Sequence, residues 1–412
     1  MHRSSMFGIK VDLAKSRGSY LYDLNRQEFV MDLFTMFSAL PLGYNHPIFD
    51  DEAFKHEIMQ AASVKVTNCE MATPAGDQFA AEFAGHPSMA SFKWFHFSCT
   101  GALAIEAAIK TAIDYKRPRK PRVITFKESF HGINSYGGFL TDRFGSVTDR
   151  LEGMPGFYWG EPLDNPVVRY RDGEPVTDAV LTERILGQVA EIFRTDKENV
   201  TAVLVEPIQC TAGDQFFDLN FLSGLRQLCW KFDVPLIFDE VQTGFGGTGT
   251  MWYFEQCGFT PDIVAFGKKS QTSGIMVQER FGKIFERPVR LEVTWDGDVI
   301  DMIRCRYVLR AYSRYNILEN VRSNGRYITE RLKSMPKLRN LRHAGLLIAF
   351  DFEDSATRNE YVLQLRAQTT IVNSTQRATV RWRPHLAFTR EDADVALDRS
   401  LRATEQLSVL KG

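Results

Sequence analysis

Alternation of strand and helix patterns predicts an α/β fold, doubly wound around a mainly parallel sheet. Three observations carry this reading. The middle of the chain holds four short, continuously apolar runs: Val123-Ile124-Thr125-Phe126, Val203-Leu204-Val205, Leu236-Ile237-Phe238 and Ile263-Val264-Ala265-Phe266. Runs of this kind mark strands covered on both faces. Helix-length segments lie between them, for example Phe221 to Lys231 before the Leu236 run. A length of 412 residues with 44% hydrophobic and 25% charged side chains is enough for an ample core spread over more than one domain. In such folds the site lies beyond the carboxyl ends of the strands.

Composition also excludes. Lys plus Arg is 50 against Asp plus Glu at 51, without the basic excess of a dedicated nucleic-acid binder. The run Lys116-Arg117-Pro118-Arg119-Lys120 reads as a solvated turn. No apolar stretch reaches the roughly 18 residues of a membrane span, and Met1 to Lys15 lacks the apolar run of a signal peptide. Six cysteines (Cys69, Cys99, Cys210, Cys229, Cys257, Cys305) form no CxxC pair, and the eight histidines show no metal spacing. The expectation is a cytoplasmic enzyme with free thiols, no protein-ligated metal, and neither nucleic acid nor membrane as partner.

Taken in chain order, the first chemical element is Ser98-Cys99-Thr100-Gly101-Ala102, followed by strong helix formers through Lys110. Thr100 and Gly101 stand where a helix N-cap belongs, and the free amides and dipole of that end suit an anion. Phe130-His131-Gly132 follows the Val123 strand and could stack on a planar ring. Leu236-Ile237-Phe238-Asp239-Glu240-Val241-Gln242-Thr243-Gly244 is a strand that delivers two carboxylates and an amide, then breaks at glycine. Pro261-Asp262-Ile263-Val264-Ala265-Phe266-Gly267-Lys268-Lys269 is a second strand, ending in lysine. A carboxylate and a lysine on neighbouring strand ends suit pyridoxal phosphate: the lysine joins the cofactor's carbonyl, and the acid partners the pyridinium nitrogen so that the ring acts as an electron sink. Gly244-Phe245-Gly246-Gly247-Thr248-Gly249 matches a bare GxGxxG, but Thr250-Met251-Trp252-Tyr253 is a poor helix opening for a dinucleotide site. Gly267-Lys268-Lys269-Ser270 fails as a phosphate-binding loop, since Asp262 stands where its first glycine belongs. From Asp298 the texture changes to long amphipathic stretches, Met302 to Leu318 and Val321 to Leu332, then strand-like Leu346 to Phe352 and Thr379 to Trp382. We therefore expect an N-terminal segment, 1–45, packing with a small α+β domain, 298–412, and a large cofactor-binding domain, 46–297.

Together these pieces resemble the class III (ω-amino acid) aminotransferases of fold type I, and within them the lysine 6-aminotransferases. The resemblance runs through the helix cap, Phe130-His131-Gly132, Glu206-Pro207-Ile208-Gln209, Asp239-Glu240-Val241-Gln242, Gly267-Lys268 and Thr294-Trp295. Leu42-Gly43-Tyr44-Asn45-His46-Pro47 and Arg381-Trp382-Arg383-Pro384 extend it to nearly the whole chain. It implies a large domain with a mainly parallel, seven-stranded-type sheet. It implies pyridoxal 5'-phosphate held on Lys268, which would also carry the proton between substrate and cofactor carbons. Asp239 would hold the ring nitrogen, Val241 pack behind the ring, Gln242 reach the ring hydroxyl, and Phe130 cover the other face with His131 beside it. Thr100, Gly101 and Ala102 would bind phosphate, and Thr294 would reach the phosphate of the other subunit in a homodimer with shared sites.

Two departures bear on substrate. After Phe-His-Gly the lysine aminotransferases carry an arginine for the substrate's α-carboxylate; here Ile133 stands, which offers no charged fork. After Glu206-Pro207-Ile208-Gln209-Cys210 the family has a glutamate that masks an active-site arginine; here it is Thr211. The sequence expectation is that Arg383 is that arginine and stands permanently open to an anion such as 2-oxoglutarate. The role vacated at position 133 would fall to Arg143, Arg381 or another residue. An aminotransferase with altered recognition of a terminal amine or carbonyl is the favoured reading. The alternative is the same fold turned to decarboxylation, elimination, racemisation or an internal amino shift. A scaffold that lost its chemistry is the third reading, opposed by the joint survival of lysine, acid, hydroxyl partner and phosphate cap.

Overall fold

The computed structural model describes residues 6–66, 70–142, 160–171, 174–375 and 377–407; Cys69 and Arg143 lie outside them. Its centre is a six-stranded sheet in the order Trp94–Ser98, Ser273–Val277, Ile263–Phe266, Leu236–Asp239, Val200–Val205, Arg122–Ile124. The last four are parallel to one another, and Ser273–Val277 runs antiparallel to both of its neighbours. The sheet is thus mainly parallel, with six strands among the described residues where seven were expected. Beyond Arg122–Ile124 a single parallel bridge between Phe126 and Leu163 continues it.

Every residue of Val200–Val205, Leu236–Asp239 and Ile263–Phe266 is buried, because both faces are covered. The two-residue alternation of strands sorts them. Leu204, Ile237 and Ala265 pack with Ala104, Ile105, Ala108 and Ile109 of the helix Gly101–Lys116. Val203, Phe238, Val264 and Phe266 join the opposite core with Phe83, Phe245 and Trp252. The alanines of Gly101–Lys116 bring that helix close to the strands, so its N-terminus stands at the strand ends.

The chain end forms a second, four-stranded antiparallel sheet, Arg339–Ala344, Leu347–Asp351, Thr379–Trp382 and Asn373–Ser374. The N-terminal strands Val11–Arg17, Tyr20–Asp23 and Glu28–Asp32 pair in turn with one another and then, in parallel, with Thr370–Ile371. Two consecutive long helices here are Val299–Arg314 and Ile317–Lys333, so the break between them falls at Tyr315 and Asn316, earlier than the amphipathic stretches suggest. Asn316 is left-handed at φ 50, a conformation asparagine tolerates better than most side chains. Among the described residues no helix is long and apolar enough to cross a membrane, no group of three or more His, Cys, Asp or Glu could hold a metal, and Cys99, Cys210, Cys229, Cys257 and Cys305 are free.

Candidate active site

Five strand ends converge on one cavity of about 300 Å³. Ser98 leads into Gly101 and Ala102 at the start of the Gly101–Lys116 helix. The Arg122–Ile124 strand leads on to Phe130, His131, Gly132 and Ile133. Glu206 follows Val205, Asp239 ends its strand and is followed by Val241 and Gln242, and Lys268 follows Ile263–Phe266. All of these from Gly101 onward line the cavity, with Ile105.

Thr100 is the N-cap, its Oγ1 accepting from Leu103 N at 3.3 Å. The amides of Gly101 and Ala102 belong to the first turn, where no intrahelical acceptor exists. A Cβ on Gly101 would lie 2.7 Å from Cγ1 of Val241, so only glycine lets the helix end meet the Asp239–Gln242 segment this closely. Asp239 is buried, and its Oδ2 lies 2.9 Å from His131 Nδ1 while Oδ1 accepts from Val241 N at 3.1 Å. A carboxylate only accepts, so Nδ1 carries the imidazole proton. Glu206 is buried, with Oε1 accepting from Phe130 N at 2.8 Å; burial first, then the Asp239 charge, hold its carboxyl well above the usual range. Burial pushes the Lys268 amine below the ordinary lysine value and the Arg381 charge adds to this, while Asp239 pulls it back up. An amine so lowered is a readier nucleophile.

His131 Nε2 and Gln242 Oε1 are buried polar atoms without a hydrogen-bond partner among the described residues. Both belong to residues on the cavity wall. Buried orphans of this kind, a helix N-terminus, a lysine and an acid around an apolar slot between Phe130 and Val241 fit a planar, phosphorylated heterocycle.

The model for the family Aminotransferase class-III matches residues 2–403. The chain belongs to the class III aminotransferases. It is therefore a pyridoxal-phosphate-dependent aminotransferase of fold type I. L-lysine-epsilon aminotransferase of Mycobacterium tuberculosis is 35% identical over 409 residues, covering 94% of this chain and 90% of that one. 4-Aminobutyrate aminotransferase of Schizosaccharomyces pombe is 30% identical over 435 residues, at 97% and 90% coverage. The solved lysine aminotransferase from M. tuberculosis in the internal aldimine form superposes with a TM-score of 0.91 at 33% identity, over 97% of this chain and 96% of that one.

Not every residue singled out in this aminotransferase's sequence lies at the cavity. Thr100 caps the helix beside it. Thr294 is exposed, next to Trp295, whose carbonyl accepts from Cys99 Sγ. Thr211 is half-buried in the turn between Ile208–Gln209 and Gln215–Phe216. Arg383 departs most from expectation: it is 1% exposed and does not line the cavity. Its Nη2 donates to Asp214 Oδ1 in a fully buried ion pair, and Nη1 donates to the Trp382 carbonyl at 3.0 Å. Burial alone would lower this guanidinium; Asp214 reverses that and raises it. Arg383 is thus not open to an anion. The reason is Asp214, three residues beyond Thr211 and held by Arg342 through the Gly213 and Asp214 carbonyls at 3.0 and 3.1 Å. Nothing local in the sequence announces that partnership, which spans 169 positions.

Glu240, the other acid of its motif, points away from the cavity. It accepts from Tyr253 N, Phe254 N and Thr243 Oγ1, and burial lifts it to about 7 despite these donors. Its task is to close the Gly244–Tyr253 loop, the stretch that mimics a dinucleotide motif.

Proposed function

We propose that this aminotransferase moves an amino group between a terminal amine, or the matching carbonyl, and a 2-oxo acid such as 2-oxoglutarate, as a cytoplasmic homodimer. The amine side is recognised differently from lysine in the lysine aminotransferases. The observation that carries this is Ile133: 68% exposed on the wall of the cavity that Lys268 also lines, it offers no charge to a substrate carboxylate.

Bound pyridoxal phosphate supplies an electron sink for the carbon that loses its proton. The residues of this chain do the rest. Lys268 would hold the cofactor at its carbonyl carbon, and its Nζ as a free amine would carry the proton between the substrate and cofactor carbons. Asp239 would hold the ring nitrogen, its Oδ2 kept in place by the His131 Nδ1–H. Val241 and Phe130 would hold the ring between them, Gln242 would meet its hydroxyl, and Thr100, Gly101 and Ala102 would bind the phosphate. Neither Arg381 nor Arg383 lines the cavity, so no arginine is assigned here to the 2-oxo acid carboxylate. Arg381 is buried on Thr379–Trp382, and its guanidinium donates to the Cys210 carbonyl and Asn373 Oδ1. Thr211 cannot pair with it as a carboxylate would. Val293 and Trp295 are exposed apolar side chains flanking Thr294, a surface that a second copy would cover while Thr294 reaches its phosphate. Boundaries near residues 45 and 297 go with this reading.

The test is the visible absorption of the purified holoenzyme before and after glutamate, then lysine, in separate cuvettes. Conversion of the band by glutamate, reversed by 2-oxoglutarate, with lysine far slower, is the expected result. A band that neither amino acid changes would overturn the transamination reading, and rapid conversion by lysine would overturn the reading of Ile133.

A further inference from the structure

The turn that carries Lys268 carries a second lysine. Lys268 is left-handed at φ 55, which sends the two side chains apart. Lys268 reaches the cavity wall, whereas Lys269 is 1% exposed beneath it. The Lys269 amine donates to the Gln242 carbonyl at 2.6 Å and to Ser38 Oγ at 3.4 Å. Among the described residues both acceptors of this amine are uncharged, and no carboxylate lies in hydrogen-bond reach of it. Two acceptors match the two N–H donors of a neutral amine and leave the third of an ammonium unmet. Room for the stem is reserved: a Cβ on Gly247 would lie 2.8 Å from Lys269 Cε.

The two acceptors belong to segments that border the site. Gln242 lines the cavity, with Oε1 unpartnered among the described residues. Ser38 closes Thr35–Ser38, four consecutive left-handed residues at φ 42, 53, 58 and 68. Asp32 Oδ1 holds the start of this turn through Thr35 N at 2.7 Å, and Gln271 Nε2 binds the Ala39 carbonyl after it at 2.8 Å. Removal of the amine would leave the Gln242 carbonyl without its donor and free the turn at one end.

We propose that Lys269 is a positioning residue for amino transfer: by pinning the Gln242 carbonyl and the Ser38 hydroxyl, it holds the Gln242 amide where the cofactor's ring hydroxyl lies. This rests on the reading of the cavity as the cofactor site. The experiment is a double-mutant cycle on holoenzyme with Lys269→Met and Gln242→Ala, reading the absorption maximum of the bound cofactor and the rate of its conversion by glutamate. Lys269→Met is expected to keep the cofactor covalently held, shift the maximum in the same direction as Gln242→Ala, and slow the conversion about 10- to 100-fold, as misplacement of a contacting group does. In the Gln242→Ala background the same substitution is expected to change the rate less than about twofold, because coupled residues are not additive. An unmoved maximum, or an equal loss of rate in both backgrounds, overturns the proposal. Should Lys269→Met not accumulate folded, Lys269→Gln takes its place and its outcomes read the same way. Lys268→Ala is run alongside: if that variant still holds cofactor covalently, the site reading itself has failed, whatever Lys269 does.

Discussion

Replacing Asp214 by Asn decides between two roles for Arg383. In the structure the carboxylate and the guanidinium are each 1% exposed at the side chain, and the remaining Arg383 acceptors are the Trp382 and Ile348 carbonyls at 3.0 and 3.3 Å. Asparagine keeps the shape and one acceptor but leaves a buried cation without its counter-charge. Removing one partner of a buried pair costs about 3–5 kcal/mol. With an unfolding entropy of about 2.1 cal/mol/K per residue, a chain of 412 residues unfolding as one unit would lose roughly 3–6 °C in Tm. The loss would be larger if the part of the chain around Thr379–Trp382 unfolds first.

The assay pairs a thermal melt with the KM for 2-oxoglutarate. Expected are the drop in Tm and a KM unchanged within about twofold, since Arg383 has no face on the cavity. The sequence alone suggests otherwise: with Thr211 in the masking position, Arg383 has no acid over it and is open to the keto acid, so that neutralising Asp214 costs little stability. An unchanged Tm with a lowered KM would refute the structural role of the pair and return Arg383 to substrate binding.

Asp239→Asn should lower kcat about 100-fold or more, well beyond its effect on cofactor content, because charge at the ring nitrogen is lost where it counts in the transition state; absorbance titration and steady-state rates check this together. Ile133→Arg should lower the KM for lysine about 10- to 100-fold, the worth of a charge-assisted fork, with little change for glutamate. Lys269, pushed down to about 7 by burial and then by the Lys268 charge, should make stability depend on alkaline pH. Its folded value lies below the unfolded one near 10.5, so the unfolded chain holds the extra proton in between, stability rises with pH across that window, and the contribution is lost as pH falls through about 7. The difference in Tm between wild type and Lys269→Met, followed from pH 7 to 10, should therefore grow in favour of wild type; a flat difference would contradict it.

What could be read in advance was what strand periodicity and strand ends dictate. Ile263–Phe266 and Thr379–Trp382 fall where their apolar runs predict, and Leu236–Asp239 gains only the residue that carries the chemistry. Thr100 as N-cap follows from the helix formers behind it. Convergence of Phe130, Asp239 and Lys268 follows from parallel strands presenting their carboxyl ends to one side. Pairings between distant segments were not legible. Asp214 with Arg383, Lys269 with Gln242 and Ser38, and His131 with Asp239 each join residues brought near only by the crossing of sheets and loops. The edge strand Trp94–Ser98 and the one antiparallel strand beside it, Ser273–Val277, were also unread; a short strand containing Gly274 carries little periodic signal.

The places where local rules fail lie together, and this is itself an argument about function. Lysine at φ 55 costs about 1–2 kcal/mol that glycine would not. Thr35–Ser38 repeats that cost four times in succession, in a turn joined to the same lysine pair through Ser38 and Gln271. Lys269 is buried without a carboxylate partner among the described residues, and Arg383 is buried with one, bound through Thr35 Oγ1 to the same turn by its own carbonyl. A chain selected for stability alone would relax each of these with glycine or an apolar side chain. Strain persists where the surrounding structure over-determines it, and here the common element is Lys268, whose amine must arrive at the cavity from one direction only. The left-handed turn sets that direction, and Lys269 below and Gln271 behind keep the turn from relaxing.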